Sequence, residues 1–250
     1  MAGRVRILEL DPDLGEELAR PRFEAARARC TAERVVVTRE RSWEIPVERP
    51  EAAEQFGYLV LRGTILHRLR LAGRATVDLL GPGDVVRPWG GPEDISELDN
   101  PTRWQPLDEL ELAALDRVFL QEAARWPELS VALANRIGRR NRSLLLRLAV
   151  ARIPQLETRL RVVLWDLADR FGRVHRDGVL LPLPLRQDVL AALVSASRSA
   201  VNRKLASLER EGAIERDPER WWLRAGPPPE LFALDEALHG SAGARDPHAM

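Results

Sequence analysis

At 250 residues the chain is too long for one minimal module and suits one large domain or two smaller ones, with two expected. Hydrophobic residues at 45% and charged residues at 30% supply a packed core and exclude a disordered chain. The 38 basic and 38 acidic residues cancel to a formal net charge of zero, but they are unevenly placed: nine acids lie between Glu93 and Glu122 against two arginines, and eight arginines lie between Arg136 and Arg161 against Glu157 alone. A polyanion would meet the second half.

No stretch approaches the roughly 20 apolar residues of a membrane helix, and Met1–Leu10 lacks the apolar run of a secretory signal, so a cytoplasmic location without a membrane partner is expected. The single Cys30 can form no internal disulfide and cannot alone hold zinc or an iron-sulfur cluster. His67, His175, His239 and His248 are scattered without ligand spacing, so neither a metal nor another cofactor is expected. The acids of residues 93 to 122 come with no nucleophile-base motif, phosphate loop or metal signature, and catalysis is not expected.

In chain order, residues 33 to 86 read as short strands. Runs such as Arg34-Val35-Val36-Val37-Thr38 and Tyr58-Leu59-Val60-Leu61 are β-branched or alternating, and Gly63, Gly73, Gly81 and Gly83 punctuate them. Gly81-Pro82-Gly83-Asp84 fits a type II turn, with Pro82 fixing φ and Gly83 taking the positive φ. A strand over Leu110–Leu115 completes a small antiparallel roll, and the first domain is expected to span residues 1 to 125. Pro127 then opens a helix of about 27 residues that Pro154 terminates. Within it Ala134, Ile137, Asn141, Leu144, Leu148 and Ala151 recur at spacings of three and four, the seam of a helix-pairing homodimer or the face that packs on the first domain. Gly138 permits close approach of a partner.

The remaining elements occupy residues 154 to 224. An amphipathic helix, Leu156 to Phe171, turns Leu160, Val163, Leu164 and Leu167 inward. Strands around Arg173–His175 and Val179–Leu181 flank Arg176-Asp177-Gly178, a hairpin signal. Next come two short helices, with Val189, Leu190, Leu193 and Val194 on the face of the first and Val201, Leu205 and Leu208 on the face of the second. Ser195-Ala196 turns between them, Ser197 caps the second and Gly212 stops it. Ala213–Arg216 and Arg220–Leu223 form a hairpin around Asp217-Pro218-Glu219, and residues 225 to 250 form a peripheral tail.

This order is that of a winged helix-turn-helix. The outer face of its second helix presents Arg198, Ser199, Asn202 and Arg203, with Lys204 to one side, and no acid occurs from Val189 through Leu208. Such a helix fits the major groove, where arginine bridges O6 and N7 of guanine and asparagine pairs with adenine. Serines such as Ser197, Gln187 at the start of the first helix, Lys204, and Arg216 or Arg220 of the wing suit DNA contacts beside those base readers, chiefly with the backbone. An ordinary helical hairpin with a solvated basic face is the competing reading.

The stretch from Gln187 through Arg203 resembles the DNA-binding signature of the Crp/Fnr family of bacterial regulators, and Gly57–Gly63 and Leu80–Asp84 are similar to that family's β-roll turns. The resemblance implies an α+β chain: an N-terminal antiparallel, jelly-roll-like β-roll, a long dimerisation helix over residues 126 to 153, and a C-terminal winged helix-turn-helix. It implies a homodimer on a palindromic operator of double-stranded DNA, with RNA polymerase as a further partner and Arg198 and Arg203 reading bases. Where relatives often carry a glutamate after the first recognition arginine this chain has Ser199, and where many have a turn glycine it has Ser195. The cyclic-AMP-binding pattern is absent: no glutamate follows Gly83-Asp84 closely, and Arg103 leads into Trp104-Gln105 rather than a Ser/Thr-Ala pair. Cyclic AMP is therefore not expected to bind, the effector is unknown, and a haem would rest on His67. The rival reading is a small-molecule sensor whose helical segment makes protein contacts, with an apolar cavity in the roll.

Overall fold

The β-branched runs of the first half form strands, although helices the sequence did not announce precede them. The computed structural model describes residues 3–37, 55–71, 74–87, 102–217 and 220–231. It divides into two units, residues 1–142 and 143–250. The acids from Glu93 to Asp99, Gly73 and the tail beyond residue 231 lie outside the described residues.

In the first unit, β1 (Arg4–Arg6), α1 (Ile7–Leu10), a 3-10 turn (Pro12–Gly15) and α2 (Arg20–Arg29) come before β2 (Thr31–Val37). Then follow β3 (Gln55–Arg62), β4 (Ile65–Leu71), β5 (Arg74–Leu80), β6 (Val85–Val86), β7 (Thr102–Pro106), β8 (Leu110–Asp116), α3 (Arg117–Ala123) and α4 (Pro127–Val150), whose residues from Ser143 onward belong to the second unit. The strands make two antiparallel sheets, ordered β1-β2-β8-β3-β6 and β5-β4-β7. Alternation along β8 feeds two cores: Ala113 and Leu115 join Ile7, Leu8, Leu59, Phe119 and Leu129, whereas Leu110 and Leu112 join Val60, Ile65, Leu80 and Val86. Each Val, Leu, Ile or Phe side chain among them contributes about 1.5–3 kcal/mol on burial. Cys30 belongs to the first core, and burial pushes its thiol up to about 11, so it packs as an apolar group.

Gly81-Pro82-Gly83-Asp84 closes as its residues require. Gly83 has φ +86°, the Asp84 amide donates to the Gly81 carbonyl at 2.9 Å, and the Gly81 amide donates to Asp84 Oδ2 at 2.8 Å. The buried Arg136 of α4 is tied to this turn, donating from Nη1 to the Gly83 carbonyl at 3.1 Å and from Nη2 to Asp11 Oδ1 at 2.8 Å. The regular part of α4 ends at Val150, three residues before Ile153, the last residue ahead of Pro154. There the bonding tightens to i→i−3, with Arg152 and Ile153 amides donating to Ala149 and Val150 carbonyls at 3.0 Å, because a residue preceding proline is driven out of the α region.

In the second unit, α5 (Leu156–Phe171), β9 (Arg173–His175), β10 (Gly178–Leu181), α6 (Gln187–Leu193), α7 (Arg198–Arg210), β11 (Ile214–Arg216) and β12 (Trp221–Leu223) follow in order. The two hairpins merge into one antiparallel sheet, β11-β12-β10-β9, through pairs such as Val179↔Leu223 and Leu181↔Trp221. Gly178 pairs with His175, so the two-residue loop is Arg176-Asp177 and the glycine lies in the strand. It is needed there because a Cβ would meet the Leu223 carbonyl oxygen at 2.3 Å, and its φ is +137°. Among the described residues no helix is long and apolar enough to cross a membrane.

Candidate nucleic-acid interface

Helices α6 and α7 form the helix-turn-helix. Val189, Leu190, Leu193 and Val194 are buried from one side and Val201, Leu205 and Leu208 from the other. Between them Ser195 sits at φ +50°, a left-handed conformation that costs a non-glycine residue about 1–2 kcal/mol. Ser197 caps α7, its Oγ accepting from the Ala200 amide at 3.3 Å, and Gly212 follows the helix at φ +69°. With the apolar stripe inward, Ser197, Arg198, Ser199, Asn202 and Arg203 are all exposed. Arg198 and Arg203 have no hydrogen-bond or ion-pair partner among the described residues.

The other polar residues expected at this surface are engaged with their neighbours. Gln187 Nε2 donates to Asn202 Oδ1 at 3.0 Å, so one amide of α6 orients one of α7. Ser197 and Ser199 share a hydrogen bond of 3.2 Å. Lys204 Nζ pairs with Glu157 of α5 at 3.2 Å, which turns its ammonium toward α5. On the wing, Arg216 grips both oxygens of Glu209 at 2.7 and 3.2 Å and lies over the Trp221 ring at 5.6 Å, while Arg220 pairs with Asp217 at 2.6 Å. The fold thus gathers Gln187, Ser197, Arg198, Ser199, Asn202 and Arg203 on one surface and commits Lys204, Arg216 and Arg220 to acids.

Two residues that sequence reasoning passed over hold this arrangement. Arg159 of α5 donates from Nη1 to the Val194 carbonyl at 2.8 Å and the Ser195 carbonyl at 3.4 Å. Glu157 stood out as the one acid in an arginine-rich stretch, but nothing in its local pattern placed it opposite Lys204.

Along α4, Val131, Leu145 and Leu148 are 57%, 55% and 65% exposed, and Ala134, Asn141 and Ala151 are also open to solvent. Leu144 is 39% exposed, whereas Ile137 is half-buried and packs against the first core. In the roll, His67 stacks on Trp104 with ring centroids 3.9 Å apart, directly across the strands from Asp78. Asp78 is buried and pairs with Arg140 Nε at 3.2 Å. Burial first, then the Arg140 charge, lowers the His67 pKa against the opposing pull of Asp78. Among the described residues no group of three or more His, Cys, Asp or Glu could hold a metal ion.

Residues 158–224 match the Crp-like helix-turn-helix domain. The chain is also 30% identical, over 188 residues, to the cyclic AMP receptor protein of Thermus thermophilus, covering 74% of this chain and 80% of that protein. The chain belongs to the Crp/Fnr family. It is a transcription regulator of Crp/Fnr type with a Crp-like helix-turn-helix domain. Crystal structures share the Crp/Fnr fold: a CRP-family transcriptional regulator, also of Thermus thermophilus, aligns at TM-score 0.55 and 23% identity over 83% of this chain and 97% of that one. A cyclic nucleotide-binding domain-containing protein of Listeria monocytogenes aligns at TM-score 0.60 and 18% identity, over 86% and 97%. The antiparallel N-terminal sheets, long helix and C-terminal helix-turn-helix are therefore a Crp/Fnr architecture, and the helical segment is a Crp-like helix-turn-helix domain.

Proposed function

We propose that the chain is a cytoplasmic, homodimeric, sequence-specific regulator that reads a palindromic operator through α7 and does not respond to cyclic AMP. The observation that carries the DNA-reading part is the exposed face of α7, where Arg198 and Arg203 are free of partners among the described residues while the apolar stripe of the helix is buried. Free guanidinium groups beside a capped helix start can form bidentate bonds with guanine, each worth about 1–3 kcal/mol of discrimination. Asn202 joins them as a base reader, and Ser197 and Ser199 take phosphates. Ser199 in place of a glutamate shifts the preferred half-site away from that of glutamate-bearing relatives. Two copies of α7, one turn of DNA apart, give the operator its palindromic form.

Dimerisation is assigned to α4. Val131, Ala134, Asn141, Leu145 and Leu148 are exposed and, together with the half-buried Gly138, follow spacings of three and four without interruption, the geometry of a paired-helix seam with Asn141 as its polar member. This seam keeps Ala134, Asn141 and Leu148 of the sequence-based set and leaves Ile137 to the core.

Insensitivity to cyclic AMP rests on the roll. Arg103 is exposed on β7, and the next residue, Trp104, stacks on His67. Across the strand from His67 the buried carboxylate of Asp78 holds Arg140 in an ion pair, which commits that guanidinium to a protein acid. An effector of other chemistry would act only by favouring one arrangement of the dimer over another.

The test is to select duplexes from a random-sequence pool with the full chain and repeat the selection with Arg198→Ala. The wild type should yield a palindromic consensus, and the variant should lose the preference at one base pair per half-site, at a cost of about 1–3 kcal/mol. An unchanged consensus would show that α7 is not the reading helix.

A further inference from the structure

The turn between α6 and α7 contains an unusual conformation and an unusual partner. Ser195 holds φ +50°, where a side chain crowds the backbone and glycine is favoured. Among the described residues, the polar support that reaches this turn from outside α6 and α7 is Arg159 of α5. Its Nη1 donates to both the Val194 and the Ser195 carbonyls, the end of α6 and the left-handed residue itself. Its Nε is buried without a hydrogen-bond partner, so these two carbonyls carry the polar contacts of the group. A cation is also favoured at this place by the orphan carbonyls at the end of α6.

We propose that Arg159 is a positioning residue for DNA recognition: it holds the left-handed turn at Ser195 and so fixes the direction in which α7 leaves α6. This rests on the reading that α7 recognises DNA. The turn lies two residues before the α7 cap Ser197 and three before Arg198, so a rotation there is carried directly to the base-reading side chains. Serine at this position makes the clamp necessary, and glycine would relieve the need for it.

Four full-length chains test this: wild type, Arg159→Met, Ser195→Gly and the double variant. Each is titrated against a duplex selected by the wild type and against a scrambled duplex, over a salt series, with amide hydrogen exchange read at Val194 and Ala196. Arg159→Met should weaken the selected duplex about tenfold with no change in salt slope, leave the scrambled duplex nearly unaffected, and lower protection of the turn amides. Adding Ser195→Gly should restore most of both losses, and Ser195→Gly alone should be near neutral. Equal weakening of both duplexes with the salt slope reduced by about one would make Arg159 a phosphate contact instead, and failure of Ser195→Gly to rescue would reduce it to a general structural residue; either overturns the proposal. The exchange measurement needs no DNA, so it tests the clamp on the turn separately: with no consensus selected by the wild type but the turn loosened by Arg159→Met, the reading of α7 fails and the clamp stands.

Discussion

Replacing Arg136 by methionine keeps most of the side-chain volume and removes only the guanidinium. In the folded chain that guanidinium is 5% exposed and bonds to both carboxylate oxygens of Asp11, whose side chain is 11% exposed, and to the Gly83 carbonyl. With both partners shielded from water, the variant leaves a carboxylate unpaired and a turn carbonyl short of a donor. Breaking one side of such a pair costs about 3–5 kcal/mol, far more than the pair itself contributes over an apolar replacement. For a urea slope near the upper end of the usual range, that lowers the unfolding midpoint by about 1–2 M. Replacing both partners, Asp11→Leu with Arg136→Met, removes the orphan charge and should return most of the loss. Equilibrium urea unfolding followed by tryptophan fluorescence reads all four corners of the cycle. A loss below about 1 kcal/mol for Arg136→Met, or a double variant no better than the single one, would refute the view that the cost of the variant is that of a buried, orphaned Asp11 carboxylate.

Two further outcomes are expected. The pair Leu145→Glu and Leu148→Glu places like charges in the proposed α4 seam and removes four leucines from the proposed dimer interface, so sedimentation should show monomers, with the dimer dissociation constant raised at least about a hundredfold; an undisturbed dimer would place the interface elsewhere. Asp116 caps α3 by accepting from the Phe119 amide at 2.8 Å and pairs with Arg4 at 2.6 Å. Burial works against its carboxylate, but these hydrogen bonds outweigh it and the pKa is lowered. The stabilisation is therefore fully present above the unfolded value of about 3.9 and is lost as pH falls through the lower folded value. Asp116→Asn keeps an acceptor for the cap, because asparagine caps as well as aspartate, and removes the charge and the partly exposed pair with Arg4, so it should cost about 0.2–1 kcal/mol near neutrality, and the gap from wild type should close in that acid window. A gap independent of pH would contradict the charge-based explanation.

The second half of the chain was the more legible. Ser197, Gly212 and the inward positions of α6 and α7 are local signals, set by hydrogen bonds and periodicities within a few residues, and they folded as read. The Gly81–Asp84 turn was legible for the same reason. What escaped was long-range: β10 pairs with β12 across about 40 intervening residues, and only that pairing explains why Gly178 must be glycine. The α4 pattern left open whether its stripe pairs helices or packs on the first domain, and which apolar residues met the core depended on packing that periodicity alone does not encode; Ile137 packs against the core while Val131 and Leu145 are exposed. At the interface the free residues, Arg198 and Arg203, were readable from the outer face of α7. The engaged ones were not, because Lys204, Arg216 and Arg220 look like any exposed cation until Glu157, Glu209 and Asp217 are found beside them.

Whether α7 reads sequence or merely binds charge is tested most directly by fluorescence anisotropy of the full chain on a selected duplex and on a scrambled one, from low to high salt. Binding through phosphates alone falls equally for both, because only counterion release is at stake. If α7 reads bases, the selected duplex stays tighter by a factor of about 10³ or more, and this gap persists at salt concentrations where the scrambled duplex no longer binds. Two curves that fall together, with no gap at any salt concentration, would contradict sequence reading by α7.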